Sequence, residues 1–205
     1  GDAGCGDMAS FRKLDDDAVT VARTLWDSAG VEGQPDADAA RGMVDARAQS
    51  GAQNRTALLA LTVLKHYDNY TFTHMVNVSI LTMGQARGLG IDGPLLREFG
   101  LAALMHDIGK VRTPLDVLNK PDKLTDAEFA IMKRHTVDGA EILRQTPDIP
   151  ALAPVIAFEH HLRIDGSGYP DTVARTSLNV GTMLCSIADV YDAMRSQRKY
   201  QQAFP

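Results

Sequence analysis

Residues 94–110, PLLREFGLAALMHDIGK, run from a proline through a largely apolar stretch into a histidine, an aspartate and a lysine. Proline suits the first position of a helix, where its missing N–H costs nothing. The segment therefore predicts a helix that opens at Pro94 and reaches His106 and Asp107. Working outward, the other segments also read as helices between clusters of turn residues. Asp15, Asp16 and Asp17 can cap a first helix through Trp26, ended by Gly30. Further helices are predicted over residues 36–48 and 54–66, and from Thr71 past Met83 to Gly88 or Gly90. Thr125 and Glu128 form a capping box for a helix leading to His135. Short helices follow over 140–145 and 151–161, and Asn179 opens a long one carrying Asp189, Asp192 and Arg198. Strand-type alternation is almost absent, so the fold class is all-α. Residues 1–10 are small and polar and read as a frayed terminus.

Size and charge narrow the function classes. At 205 residues the chain can bury one substantial core. Apolar residues make up 44% and charged residues 23%, an ordinary globular balance. A net charge of −5 gives no basic face for duplex nucleic acid. The longest apolar run, residues 57–64, is too short to span a bilayer, and no stretch reads as a signal peptide. Cys5 and Cys185 form no disulfide or ligand framework, so the expected compartment is the cytoplasm.

The chemistry sits in the histidines. Five of six, His74, His106, His135, His160 and His161, lie in the second two-thirds of the chain. Each falls near the end of a separate predicted helix or beside another, with Asp107 and Asp189 as accompanying carboxylates. A lone histidine carries little weight, but the side-by-side pairs His106-Asp107 and His160-His161 carry more. Neighbours on a helix point about 100° apart, which suits two adjacent metals or a ligand and a bridge. Two ions about 3.5–4 Å apart form the usual clamp for displacement at phosphorus. The nitrogen and oxygen donors, without thiolate, favour iron or manganese over structural zinc.

Several neighbours admit two readings from sequence. Lys110 can neutralise a phosphate oxygen, or satisfy a helix C-terminus. Gly109 can simply end the helix. Asp192, one turn from Asp189, can orient a ligating histidine or pair with Arg195. Arg198 can hold a phosphate with its fork of donors, or be a solvated surface residue.

An early His, a His-Asp pair and a late Asp resemble the HD superfamily of metal-dependent phosphohydrolases. With His135, the His160-His161 pair and the run DGSGYP at 165–170, the pattern is similar to the HD-GYP branch. The resemblance spans residues 67–200 in family order and spacing, far more specific than a two-residue signature. It implies an HD-type helical bundle over 53–205, lacking its last helices, behind an N-terminal helical extension over 1–52. It also implies two divalent metals, one held by His74, His106 and Asp189, the other by His135, His160 and His161, with Asp107 bridging. Lys110 would lie over the scissile phosphate, and Tyr169 and Arg198 would contact substrate. The implied reaction is attack of a metal-bridging hydroxide on a 3′,5′-phosphodiester, opening cyclic di-GMP to linear pGpG, which the same chemistry can cleave on to GMP. His66 falls outside the pattern and is expected not to bind metal.

Three positions depart from the family. Tyr70 stands where some members carry a glutamate tied to a third metal, so two metals are expected. Leu162 replaces a frequent glutamate after the paired histidines, and Gln201 stands where a phosphate-binding lysine can occur. Other readings are a phosphodiesterase for cyclic GMP-AMP, and a weakly active module that binds a nucleotide, or a protein partner through the GYP loop. A generic HD nucleotidase leaves three histidines unexplained.

Overall fold

The computed structural model describes residues 3–53, 70–171 and 177–196. The expected helix over 54–66, together with His66, Arg198 and Gln201, lies outside these residues. Among the described residues the structure is helical, with no strand and one isolated bridge between Leu162 and Gly168. In chain order the helices are α1 (Ala3–Glu32), α2 (Ala37–Gln53), α3 (Tyr70–Gly88) and α4 (Gly93–Leu104), then a 3-10 helix (Ile108–Arg112). They continue as α5 (Leu115–Leu118), α6 (Asp126–Lys133), α7 (His135–Gln145), α8 (Leu152–Glu159) and α9 (Val180–Arg195).

Caps read from sequence do their work. The Thr125 hydroxyl accepts from the Glu128 amide at 3.2 Å, and the Glu128 carboxylate accepts from the Thr125 amide at 2.8 Å. Asn179 caps α9 by accepting from the Thr182 amide at 2.8 Å. Asp92 starts α4, with Pro94 in its first turn. Boundaries set by tertiary contact differ from expectation. α1 begins at Ala3, so residues 3–10 are its first turns, and it passes through Asp15–17 and Gly30. Asp15 instead forms an ion pair with the buried Arg47 of α2. The chain turns at Gly33, whose φ of +78° favours glycine, rather than at Gly30. α7 starts at His135, not residue 140, so His135 sits on its first turn.

α4 is the central element. It packs against α2, α3 and α8, and residues 99–109 are buried without a break. Side chains from α1, α2, α3, α4, α7, α8 and α9 join in one core, including Leu25, Val44, Met75, Leu104, Ile142 and Ile156. The N-terminal helices thus share the core that carries the histidines.

α4 stops at Leu104, short of the expected His106, and the chain tightens into the 3-10 helix. Gly109 explains the tightness. A Cβ there would sit 1.9 Å from the His135 carbonyl oxygen and 2.4 Å from the Gly139 amide. The residue serves close backbone approach between the 3-10 helix and α7, not helix termination. Gly109→Ala should therefore cost about 3 kcal/mol in urea unfolding, because rigid backbone must move. A loss under 0.5 kcal/mol, roughly that of an ordinary surface change, would contradict this packing.

Candidate metal centre

Four elements deliver imidazoles to one buried point. His74 comes from the first turns of α3, His106 from the turn after α4, His135 from the start of α7, and His160 from the end of α8. Each has its Nδ1 held from behind. That nitrogen lies 2.6 Å from the Ala103 carbonyl in His106, 2.7 Å from Met132 O in His135, and 2.9 Å from Ala157 O in His160. A carbonyl only accepts, so Nδ1 carries the hydrogen and the Nε2 lone pair faces inward. In His74 the backing group is the Asp192 carboxylate, at 2.8 Å, itself held by Asn77 at 2.9 Å. Of the two readings of Asp192, the structure has the one that orients a histidine. Arg195 lies over the Tyr191 ring.

Asp107 stands between two groups. Its Oδ1 is 3.3 Å from His135 Nε2 and 3.5 Å from His160 Nε2. Its Oδ2 is 3.5 Å from His106 Nε2, 3.8 Å from His74 Nε2 and 2.7 Å from the Lys110 ammonium. Asp189 Oδ1 lies 2.9 Å from His74 Nε2 and 3.8 Å from His106 Nε2. His161 completes the second group, with donors of Asp107, His135, His160 and His161 all within 4.8 Å of one another. His74, His106 and Asp107 form another such group, and His106, His160 and Asp189 a third. The structure thus brings together all seven side chains singled out from sequence, along with Lys110 and Tyr169.

The donors fit a divalent cation. His106 Nε2 and Asp107 Oδ1 are buried and have no hydrogen-bond partner. Polar atoms buried in this way are costly unless something else completes them. The set of imidazole nitrogens and carboxylate oxygens is able to bind a divalent metal ion.

Electrostatics divides the cluster. Burial alone would depress His74, but hydrogen bonds with Asp189 and Asp192 raise its pKa to about 9. Burial pushes His161 down to about 2, helped by His160 and His135, and burial lowers His160 as well. Neutral imidazole is the metal-ligating form. Burial would push Asp107 up, yet Lys110 and then His106 hold its carboxyl well below the usual range.

The 165–170 loop folds back onto the cluster. Asp165 accepts from the Ser167 amide at 2.9 Å, and Gly166 and Gly168 take φ of +82° and +94°. The Tyr169 amide then donates to the His161 carbonyl at 3.2 Å, and the Tyr169 ring stacks on the His161 imidazole at 4.5 Å. Leu162 contributes its backbone to this closure through the bridge to Gly168. A cavity of about 440 Å³ opens over the cluster, lined by Asp107, Lys110, His161, Tyr169 and Asp189 among others. Lys110 rides the 3-10 helix and points to both Asp107 and this cavity.

Sequence reading overlooked Glu159. This buried side chain accepts from the Thr182 hydroxyl at 3.2 Å, while Ser186 donates to the His160 carbonyl at 2.7 Å. The two bonds tie the end of α8 to α9, which carries Asp189. The only clue in the sequence is a glutamate directly before the paired histidines.

With this geometry in place, known proteins give a consistent answer. The HD domain family profile matches residues 51–205. The chain belongs to the HD-domain family. Its His-Asp pair, paired histidines and GYP loop resemble the HD-GYP branch. This HD domain is 42% identical over 162 residues to a cyclic di-GMP phosphodiesterase of Pseudomonas aeruginosa, covering 79% of this chain and 39% of the relative. It is 39% identical to a cyclic di-GMP phosphodiesterase of Thermotoga maritima, covering 71% and 40%, respectively. A 3′3′-cGAMP-specific phosphodiesterase of Vibrio cholerae is 32% identical, with 71% and 33% covered. The chain thus spans well under half the length of these relatives. An HDG"Y"P protein from Bdellovibrio bacteriovorus has a similar fold, with a TM-score of 0.73 and 22% identity over 94% of this chain and 61% of that one.

The His74 geometry has a pH consequence for metal-free protein. A raised pKa means the protonated ring stabilises the fold fully below pH 6.5, and that contribution fades as pH rises through about 9. The melting temperature of EDTA-treated protein should fall across this window, and Asp192→Asn should flatten the fall. A melting temperature that climbs from pH 6.5 to 9 would rule out the carboxylate-held proton.

Proposed function

We propose that this HD domain is a metal-dependent phosphodiesterase that hydrolyses cyclic di-GMP to linear pGpG, and onward to GMP. The observation that carries the reading is Asp107, with one oxygen toward His135 and His160 and the other toward His74 and His106. A buried carboxylate so placed suits a bridge between two cations. His74, His106 and Asp189 would hold one ion, and His135, His160 and His161 the other. Iron or manganese matches the donor set best. When bound, the two ions lower the pKa of water and clamp the attacking and leaving oxygens.

The chain's own residues supply the rest. Asp192 fixes the tautomer and direction of His74. The Lys110 ammonium, at the cavity wall, neutralises charge developing on the scissile phosphate. Tyr169, stacked on His161, contacts the substrate, and Arg198 holds a phosphate. Residues 1–52 serve as an N-terminal helical extension to the catalytic bundle at 53–205. No helix among the described residues is long and apolar enough to cross a membrane. The net charge of −5 favours a small nucleotide over duplex nucleic acid, and the lack of a cysteine framework suits a cytoplasmic signalling enzyme. The exposed part of the 162–170 loop, with Ile164 79% exposed, offers a protein partner its apolar contact.

Incubation of metal-loaded protein with cyclic di-GMP and cyclic GMP-AMP, with chromatography of the products, tests the reading. Production of pGpG is expected. Turnover of cyclic GMP-AMP alone would move the substrate assignment, and binding without turnover would make the domain a nucleotide-binding module. His135→Ala should lower metal content. Lys110→Ala should keep its metal and lose about 10²–10³ in turnover. Full turnover in Lys110→Ala would remove the lysine from the chemistry.

A further inference from the structure

The cavity has a second aromatic wall. Tyr70 lies one helical turn before His74 on α3, and its ring stacks on the His74 imidazole with centroids 5.3 Å apart and planes inclined by 18°. Tyr169 stacks on His161 at 4.5 Å and 23°. His74 belongs to the group with His106 and Asp107, and His161 to the group with Asp107, His135 and His160. Each tyrosine therefore covers an imidazole of a different group, and both rings line the same cavity.

Core filling does not account for Tyr70. On the same helix Phe72 is 8% exposed and meets Trp26 edge-on, as a packing aromatic does. Tyr70 is only half-buried, and it lines the cavity with Met194 and Ser196 of the α9 end and Lys110 of the floor. The floor is charged and suits a phosphate, whereas this wall is flat and aromatic and suits a nucleobase. A ring held against an imidazole is already fixed in orientation, so little side-chain freedom is lost when a base stacks.

We propose that Tyr70 is a substrate-binding residue, a stacking platform for one purine of the nucleotide beside the group of side chains that Tyr169 does not cover. The proposal rests on the phosphodiesterase reading for the identity of the nucleotide. A cyclic dinucleotide carries its two bases on either side of the scissile phosphate, and the two tyrosines offer one wall to each side.

Calorimetric titration of the metal-loaded chain with GMP and with inorganic phosphate isolates the base from the phosphate. Removing one base–aromatic stack in Tyr70→Leu should weaken GMP about tenfold, and Tyr70→Phe should keep wild-type affinity. Phosphate affinity and metal content should be unchanged in both. Tyr70→Thr is a second ringless variant, to be read should Tyr70→Leu lose its circular dichroism. Equal weakening of GMP and phosphate would show that Tyr70 acts only through His74, and overturn the platform. So would unchanged GMP affinity in a folded ringless variant, or wild-type GMP binding no tighter than phosphate. Hydrolysis of cyclic di-GMP by the wild type is measured separately. An inactive wild type whose ringless variant still loses GMP would sink the phosphodiesterase reading and leave the platform standing.

Discussion

The Asp107 carboxylate is 3% exposed, and the bundle around it is arranged to meet its charge. An ionised carboxylate taken out of water is stable only with cations or hydrogen-bond donors at hand. Lys110 supplies one cation at 2.7 Å, from the turn that immediately follows. Four imidazoles from four elements crowd the remaining directions. Three of them, His106, His135 and His160, are badly matched as hydrogen-bond donors to the carboxylate, since with the hydrogen on Nδ1 an inward-facing Nε2 can only accept. The same crowd is well matched to cations, which accept lone pairs from nitrogen and oxygen alike.

Positioning the crowd requires rigid backing, and the fold provides it with main-chain carbonyls. His106, His135 and His160 each lean on a carbonyl three residues earlier in the chain, in the last turn of a helix. Placement at a helix end therefore puts an accepting carbonyl beside each ring and fixes its direction. The close approach at Gly109 then brings the 3-10 helix against α7, so that Asp107 reaches His135. Glu159 and Ser186 hold the α8 end against α9. The cavity follows from these placements, with a charged floor and tyrosines stacked on two of the rings.

Much of this was legible in the sequence, because much of it is local. The Thr125–Glu128 box and the Asn179 cap are set within four residues, and both helix starts fall where those signals put them. The histidines and carboxylates stood out because paired metal-type side chains at helix ends are uncommon without a purpose. Tertiary forces set other boundaries. α1 runs through its three aspartates because Asp15 is drawn to Arg47, more than thirty residues away in sequence. α4 ends before His106 because the chain must tighten to meet α7.

By itself the sequence determined the all-α fold class, the seven histidine and aspartate side chains that gather in one cluster, and the loop of glycines before Tyr169. These depend on residue type and short spacing, which any reader of the chain can see. Only the tertiary structure decided that Asp192 orients His74 and that Gly109 serves close packing. The same holds for Glu159 joining two helices, and for Tyr70 lining the cavity beside His74. Each depends on a partner fixed by packing, most of them distant in the chain. Such a contact leaves no periodic or local mark, because its geometry exists only once the core has closed.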